Sequence, residues 1–222
     1  MQVSNGGVDK DRRMMTMLDV SRQIVRFRSV EPTPENLREQ LAEADKISWP
    51  EGGLPNLRTM HSTLRALIMA RLGDFGGALE LVESLQPPKD FLTLIPTQEL
   101  VTFQFVTEVY LRLLEQKLRP AEGSQVLPAN APIEASLEKW MTDMAEFART
   151  FKCARVCSLK HRAHYLMIKG DHVQAHAILQ RAIDAAESIG WTHTVSTLRN
   201  EMQRFTENCK SAGVFLGSES NL

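Results

Sequence analysis

Cysteine is scarce in this chain. The 222 residues hold three, Cys153, Cys157 and Cys209, an odd number that speaks against a disulfide framework. No secretory leader is read ahead of them, so a reducing, cytoplasmic location is expected. An excess of charge of one sign is missing too: 26 basic against 27 acidic residues leave a formal net charge of −1, too little to draw in nucleic acid or an anionic bilayer. No run of apolar residues is long enough for a membrane span. Strand-period alternation is nearly absent. Phosphate-binding loops are absent as well, since Gly170 is followed by Asp171 and Gly52-Gly53 lacks the Lys-Ser/Thr ending that reaches the β- and γ-phosphates. No cofactor is expected. With 43 % hydrophobic and 24 % charged residues, the composition is that of a globular chain rather than a disordered one.

What is present is helical periodicity. In "DRRMMTMLDVSRQIVRFRSV" the residues Met14, Met17, Leu18, Ile24 and Val25 share one face, with Arg12, Arg22 and Arg26 opposite. A packed first helix is expected. Asp9, Asp11 and Asp19 weigh against an organelle transit peptide, and docking to a calmodulin-like partner or a membrane surface is the other competing reading. Thr33 and Pro34 open a second helix, as cap and first residue, that ends near Lys46. "SWPEGGLPN" reads as a turn cluster, and "LRTMHSTLRALIMARLG" with "DFGGALELVESL" as a helix pair closed by Pro87 and Pro88. The stretch from Pro96 to Leu118 has a β-branched and aromatic centre, but its length predicts a helix rather than a strand. Residues 119–132 carry Pro120, Gly123, Pro128 and Pro132 and read as an exposed, mobile loop. Four more helical segments follow. The expected organisation is a flexible N-terminus over 1–10, one helical domain over 11–212 and a flexible tail over 213–222.

One phrase occurs twice. "RLGDFGGALELV" starts at Arg71 and "IKGDHVQAHAIL" at Ile168. Gly73 and Gly170 stand where a helix reverses, because glycine reaches the left-handed conformation without a Cβ penalty. Asp74 and Asp171 can then cap the next helix. Ala78 and Ala175 follow five residues after their glycines, small enough for close approach of two antiparallel helices. Leu179, Ala182 and Ile183 fill the seam of the second copy. The glycines lie 97 residues apart, 170 − 73 = 97, room for two further helices and the proline-rich loop. The fold class expected is all-α, built of three stacked antiparallel helix hairpins.

The glycine at the turn, the alanines Ala175 and Ala182, and Leu179 between them resemble the tetratricopeptide repeat, with Leu159, Ala163 and Leu166 at the apolar positions of the preceding helix. Arg162 stands where a leucine is usual and Glu187 where a closing proline is common. "CSLKHRAHYLMIKGDHVQAHAILQRAIDAAESIGW", with a third helix opening after Ile189-Gly190-Trp191, is similar to the degenerate repeat region C-terminal to the ATPase-like module of soluble adenylyl cyclases and related signalling NTPases. That resemblance implies a superhelical repeat array in a nucleotide-signalling context. It transfers no catalytic residue, since the chain has no strand-borne aspartate pair to hold two metal ions.

The sharpest candidate for chemistry is the stripe Cys153, Cys157, His161 and His164, joined by His172 and His176. Spacings of four, four and three spread the first four over about 16 Å of helix, whereas a tetrahedral zinc needs its donors within about 2.3 Å of one point. The expectation is thiols half-buried between helices, imidazoles on the flanks, and no metal. A thiolate pair of Cys153 or Cys157 with a neighbouring histidine lacks a cleft and an oxyanion donor. Trp49, Trp140 and Trp191 read as anchors at helix junctions. The function expected is a non-catalytic scaffold taking a protein partner, as a peptide or helix in a concave groove. A small-ligand-sensing helical domain is the alternative.

Overall fold

Helical periodicity carries through into structure. The computed structural model describes residues 6–29, 31–49, 55–86, 96–121, 123, 125–214 and 216. Among these it contains α1 (Gly6–Ser29), α2 (Pro34–Ala44), α3 (Pro55–Arg71), α4 (Phe75–Glu83), α5 (Pro96–Leu118), α6 (Ile133–Thr150), α7 (Lys152–Lys169), α8 (His172–Ser188) and α9 (Thr192–Ser211). No described residue is in a strand, and no described helix is long and apolar enough to cross a membrane. Thr33 caps α2 as expected, its hydroxyl accepting from the Asn36 N–H at 3.3 Å. The centre of α5 is helical throughout. Its aromatic and β-branched residues Phe103, Val106, Val109 and Tyr110 are buried, because α3 and α4 both pack against it, and a helix covered from several sides is apolar all round. The expected breaks at Pro87, Pro88 and the 50–54 turn lie outside the described residues, as does most of the 213–222 tail. The helix α1 starts at Gly6, inside the segment 1–10.

Where one domain over 11–212 is expected, the chain divides into two compact units, Met1–Ala131 and Pro132–Leu222. The division falls in the proline-rich stretch, where Pro128 and Pro132 offer no backbone N–H to a helical ladder. As a result α5 and α6, the helices expected between the two repeated hairpins, belong to different units. In the first unit α3 is the hub, packing against α1, α2, α4 and α5. In the second, contacts follow chain order, α6 on α7, α7 on α8 and α8 on α9. Val156, Ala163, Leu179, Ala182, Ile183 and Leu198 form its core.

The described residues of the 119–131 stretch are mostly exposed yet pinned to the first unit. Leu127 is buried, and Gln125 Oε1 accepts from the Gly76 N–H at 2.9 Å. Lys117 Nζ donates to the carbonyls of Ala129 and Ala131 at 2.9 and 3.0 Å. The Gln125 contact satisfies one of the free N–H groups at the start of α4.

The orientation of α1 differs from the sequence reading. Its buried face is Thr16, Val20, Ile24 and Phe27, while Met14, Met17, Leu18 and Val25 stand in water. Long-range contacts set this rotation. Phe27 packs edge to face on Phe105 with centroids 5.7 Å apart, and the Arg71 guanidinium lies 4.4 Å over the Phe27 ring. Arg26 pairs with Glu43 and Glu39 of α2 at 2.7 and 2.8 Å. Burying an aromatic ring outweighs hiding flexible methionines.

The two repeated turns share one geometry. Gly73 and Gly170 have φ of 86° and 83°, and Asp74 and Asp171 have φ, ψ of −80°, 75° and −83°, 71°. The Asp74 N–H donates to the Met69 carbonyl and the Asp171 N–H to the Leu166 carbonyl, both at 2.9 Å, a Schellman closure. Each aspartate then caps the following helix, accepting from Gly77 at 3.0 Å and from Gln174 at 3.2 Å. A Cβ on Gly77 would strike Met69 and the Asp74 carboxylate, so the second glycine of "FGG" makes room for the cap. The α8–α9 junction repeats the closure at Gly190, with the Trp191 N–H on the Ala186 carbonyl at 3.0 Å, but Trp191 makes no side-chain cap. Ala78 and Ala175 are both fully buried.

Ala175→Arg forces a long cation into that contact and should cost about 3 kcal/mol or more, lowering the melting temperature by roughly 10 °C or more. Asp171→Ala removes only the cap and should cost about 1 kcal/mol. Thermal melts followed by circular dichroism check both, and an unchanged melt for Ala175→Arg would remove the close-approach assignment.

Candidate functional site

The cysteine and histidine stripe does not converge. Cys157 is buried and Cys153 half-buried, both as free thiols. His161 is buried, with Nδ1 2.8 Å from the Cys157 carbonyl one turn back on the same helix, so this nitrogen donates to its own backbone. His164 points to α9, where its Nε2 lies 3.5 Å from Glu201 Oε2, a distance for an ion pair rather than a well-formed hydrogen bond. His172 stacks at a tilt on Phe205 of α9, 5.7 Å between centroids, and His176 is half-buried. Among the described residues no group of three or more His, Cys, Asp or Glu side chains is placed to hold a metal ion.

The repeat positions lie inside the fold. Ala78, Ala175, Leu179 and Ala182 are fully buried, and Asp74 and Asp171 spend a carboxylate oxygen on capping. These residues therefore shape the hairpins and leave ligand contact to other side chains. Arg162, at a position where the repeat pattern carries leucine, is exposed and lies over the Tyr165 ring at 5.2 Å.

Polar side chains instead join helices pairwise. Lys160 of α7 bridges to Glu201 of α9 at 2.8 Å. Burial pushes the Glu201 carboxyl upward, but His164 and Lys160 together outweigh it and hold it down at about 2. Tyr165 reaches Glu134 and Glu138 of α6 at 2.8 and 3.0 Å, and Lys169 neutralises Glu134 at 2.9 Å. Burial, then the hydrogen bonds to these carboxylates, raises the Tyr165 phenol far above its usual range, so it stays a proton donor at neutral pH. Glu134 and Glu138 at i, i+4 are like charges on one helical face, a pattern that signals a donor from elsewhere. The sequence reading missed that signal.

Two buried groups in the first unit were not singled out from sequence. His61 is held near 4 by burial and then by Arg65, and its buried Nε2 has no hydrogen-bond partner. Its ring meets Trp49 edge to face at 5.3 Å, and Arg58 covers Trp49 at 5.3 Å. This stack confirms Trp49 as an anchor at a helix junction. Glu99, in the first turn of α5, is 3 % exposed, and burial raises it to about 7. A recess of about 440 Å³, open to solvent, lies between α1 and the end of α2.

Two carboxylates of opposite behaviour give a pH signature. The folded value of Glu99 lies above its reference of 4.5, so its contribution is intact below about 4.5 and is lost as pH rises to about 7. Glu201 lies below the same reference, so its contribution holds above about 4.5 and is lost as pH falls toward 2. Glu99→Gln should remove the loss of stability toward neutral pH, and Glu201→Gln the loss toward acid, in melting temperatures recorded across pH 2 to 8. Melts of His172→Ala with His176→Ala should be indifferent to zinc and chelator, and a zinc-dependent shift lost only in that variant would restore a metal site. Compared with family models, curated proteins and solved structures, the chain matches none of them.

Proposed function

We propose that this chain is a non-catalytic, tetratricopeptide-like helical module that binds other proteins, in a nucleotide-signalling context of the adenylyl cyclase type. The observation that carries the proposal is the repeated hairpin turn, with the same left-handed glycine, the same aspartate cap and the same buried alanine at Gly73–Ala78 and Gly170–Ala175. A repeated supersecondary unit buries its apolar face against its neighbours and leaves helix faces for recognition. The sequential packing of α7, α8 and α9 and the α7–α9 bridge from Lys160 to Glu201 support the same reading. The signalling context rests on the resemblance of residues 157–191 alone. A small-ligand sensor calls for an enclosed chamber with convergent polar groups, and the recess beside α1 is open and of mixed charge.

Purified chain should release neither phosphate nor cyclic nucleotide from ATP above background. Immobilised chain should retain protein partners from a lysate of its native cell, and Ala175→Arg should lose partners that depend on the second unit. Turnover that survives repurification would overturn the binding-only reading, as would retention of nothing at any salt concentration.

A further inference from the structure

The helix α1 carries most of the exposed apolar surface. Of eight large apolar side chains exposed among the described residues, five belong to it: Met14, Met15, Met17, Leu18 and Val25, between 40 and 64 % exposed. Met14, Leu18, Ser21 and Val25 recur at spacings of four, three and four, and one further step of three at each end reaches Asp11 and Arg28. That is the period of about 3.5 residues by which one helix lies along another. All six side chains of this row are exposed.

The two ends of the row differ in charge, and its two central residues differ in bulk. Asp11 brings a carboxylate to one end. Arg28 brings a guanidinium to the other, where it donates to the neutral Gln104 side chain at 2.7 Å. Run antiparallel to a copy of itself, the row is its own complement. Leu18 of each helix faces the small Ser21 of the other, Met14 faces Val25, and Asp11 faces Arg28 at both ends. A parallel pairing would instead set Asp11 against Asp11 and Arg28 against Arg28, and would leave a gap between two serines.

We propose that two copies of this chain associate through α1, antiparallel about a two-fold axis that passes between Leu18 and Ser21. Arg22 then falls beside the partner's Met15, and its own Asp19, 3.6 Å away, screens it. Thr16, Val20, Ile24 and Phe27 are buried on the other side of α1, so a second helix covers the row without entering the core of the first unit. A net charge of −1 sets up little repulsion between copies. An unrelated helix would have to bring the same small residue and the same two charges in reverse order, whereas the chain carries them already. The row runs along about 26 Å of helix and covers less than the roughly 800 Å² per partner of a standard interface, so the dimer dissociates in the micromolar range. The pairing uses α1 alone and holds whatever partner the module takes.

Sedimentation velocity of the full chain, from micromolar to submillimolar concentration at low salt where exposed pairs are least screened, should show a monomer passing into a dimer. Leu18→Glu should weaken the dimer at least tenfold and leave the melt unchanged, because Leu18 is exposed. Asp11→Arg and Arg28→Asp should each weaken it about fivefold, since each acts at both ends, and the two in one chain should restore the wild-type affinity. Should Arg28→Asp melt early, Ser21→Arg takes its place: alone it weakens the dimer, and together with Leu18→Glu it restores it through a new central ion pair. A monomer at every concentration overturns the proposal, as does a dimer that Leu18→Glu leaves intact. Charge exchanges that bring no rescue overturn the antiparallel pairing and the proposal with it. So does a monomer in which Leu18 instead governs binding to phosphatidylserine vesicles or to a protein retained from a lysate, because the row then belongs to another occupant.

Discussion

The reversal of the chain between two antiparallel helices, completed in two residues, is the constraint on which the rest of the structure depends. At Gly170 the Asp171 N–H must reach back to the Leu166 carbonyl at 2.9 Å, which only a left-handed residue allows. A side chain there costs roughly 1 to 2 kcal/mol. Once the turn is set, Asp171 is in place to cap α8, and Ala175 faces α7 one turn further on. The register of Leu179, Ala182 and Ile183 against Ala163 follows from that start without further choice. The same closure at Gly73 and Gly190 places α4 on α3 and α9 on α8.

This is why the helices and their ends were legible in the sequence. Glycine, aspartate, threonine and proline act over three or four residues, and a reader can see them without knowing what lies across the core. Thr33 and Pro34 opened α2 as expected for that reason, and α5 kept its helix because its length outweighed its β-branched composition. The division of the chain was less legible. Proline marks where a helix cannot continue, but it does not tell whether the chain beyond packs back on the same core. Gln125 meeting Gly76 joins residues 49 apart, and no local rule contains it.

The rotation of α1 was misread for a related physical reason. The helix has two apolar faces, one of Met14, Leu18 and Val25 and one of Val20, Ile24 and Phe27, and periodicity alone ranks them nearly equal. What decides is a ring on α5 and two carboxylates on α2. The same holds for the polar pairs of the second unit. Helix dimensions alone show that Cys153, Cys157, His161 and His164 cannot all meet at one metal ion, because these four share α7. Lys160 with Glu201, and Tyr165 with Glu134, are pairings between helices, and spacing cannot reveal them. Only the adjacent like charges of Glu134 and Glu138 left a trace in the sequence.

The exposed apolar seam of Met14, Leu18 and Val25 on α1 is a consequence of that anchoring. Turning α1 to hide Met14, Leu18 and Val25 would bring Phe27 off Phe105 and into water. A large aromatic side chain buries roughly 150 to 250 Å², so at about 25 cal/mol per Å² that loss alone is about 4 kcal/mol or more. It would also part Arg26 from Glu43, leaving a half-buried carboxylate without its two bonds. The gain from covering side chains that are already about half covered is smaller, and methionine also gives up rotamer freedom when it is buried. The fold therefore holds the rotation that leaves the seam in water. The contacts that fix this rotation, Phe27 on Phe105 and Arg26 on Glu43, leave Met14, Leu18 and Val25 uncovered, because the anchored face and the exposed face lie on different sides of α1.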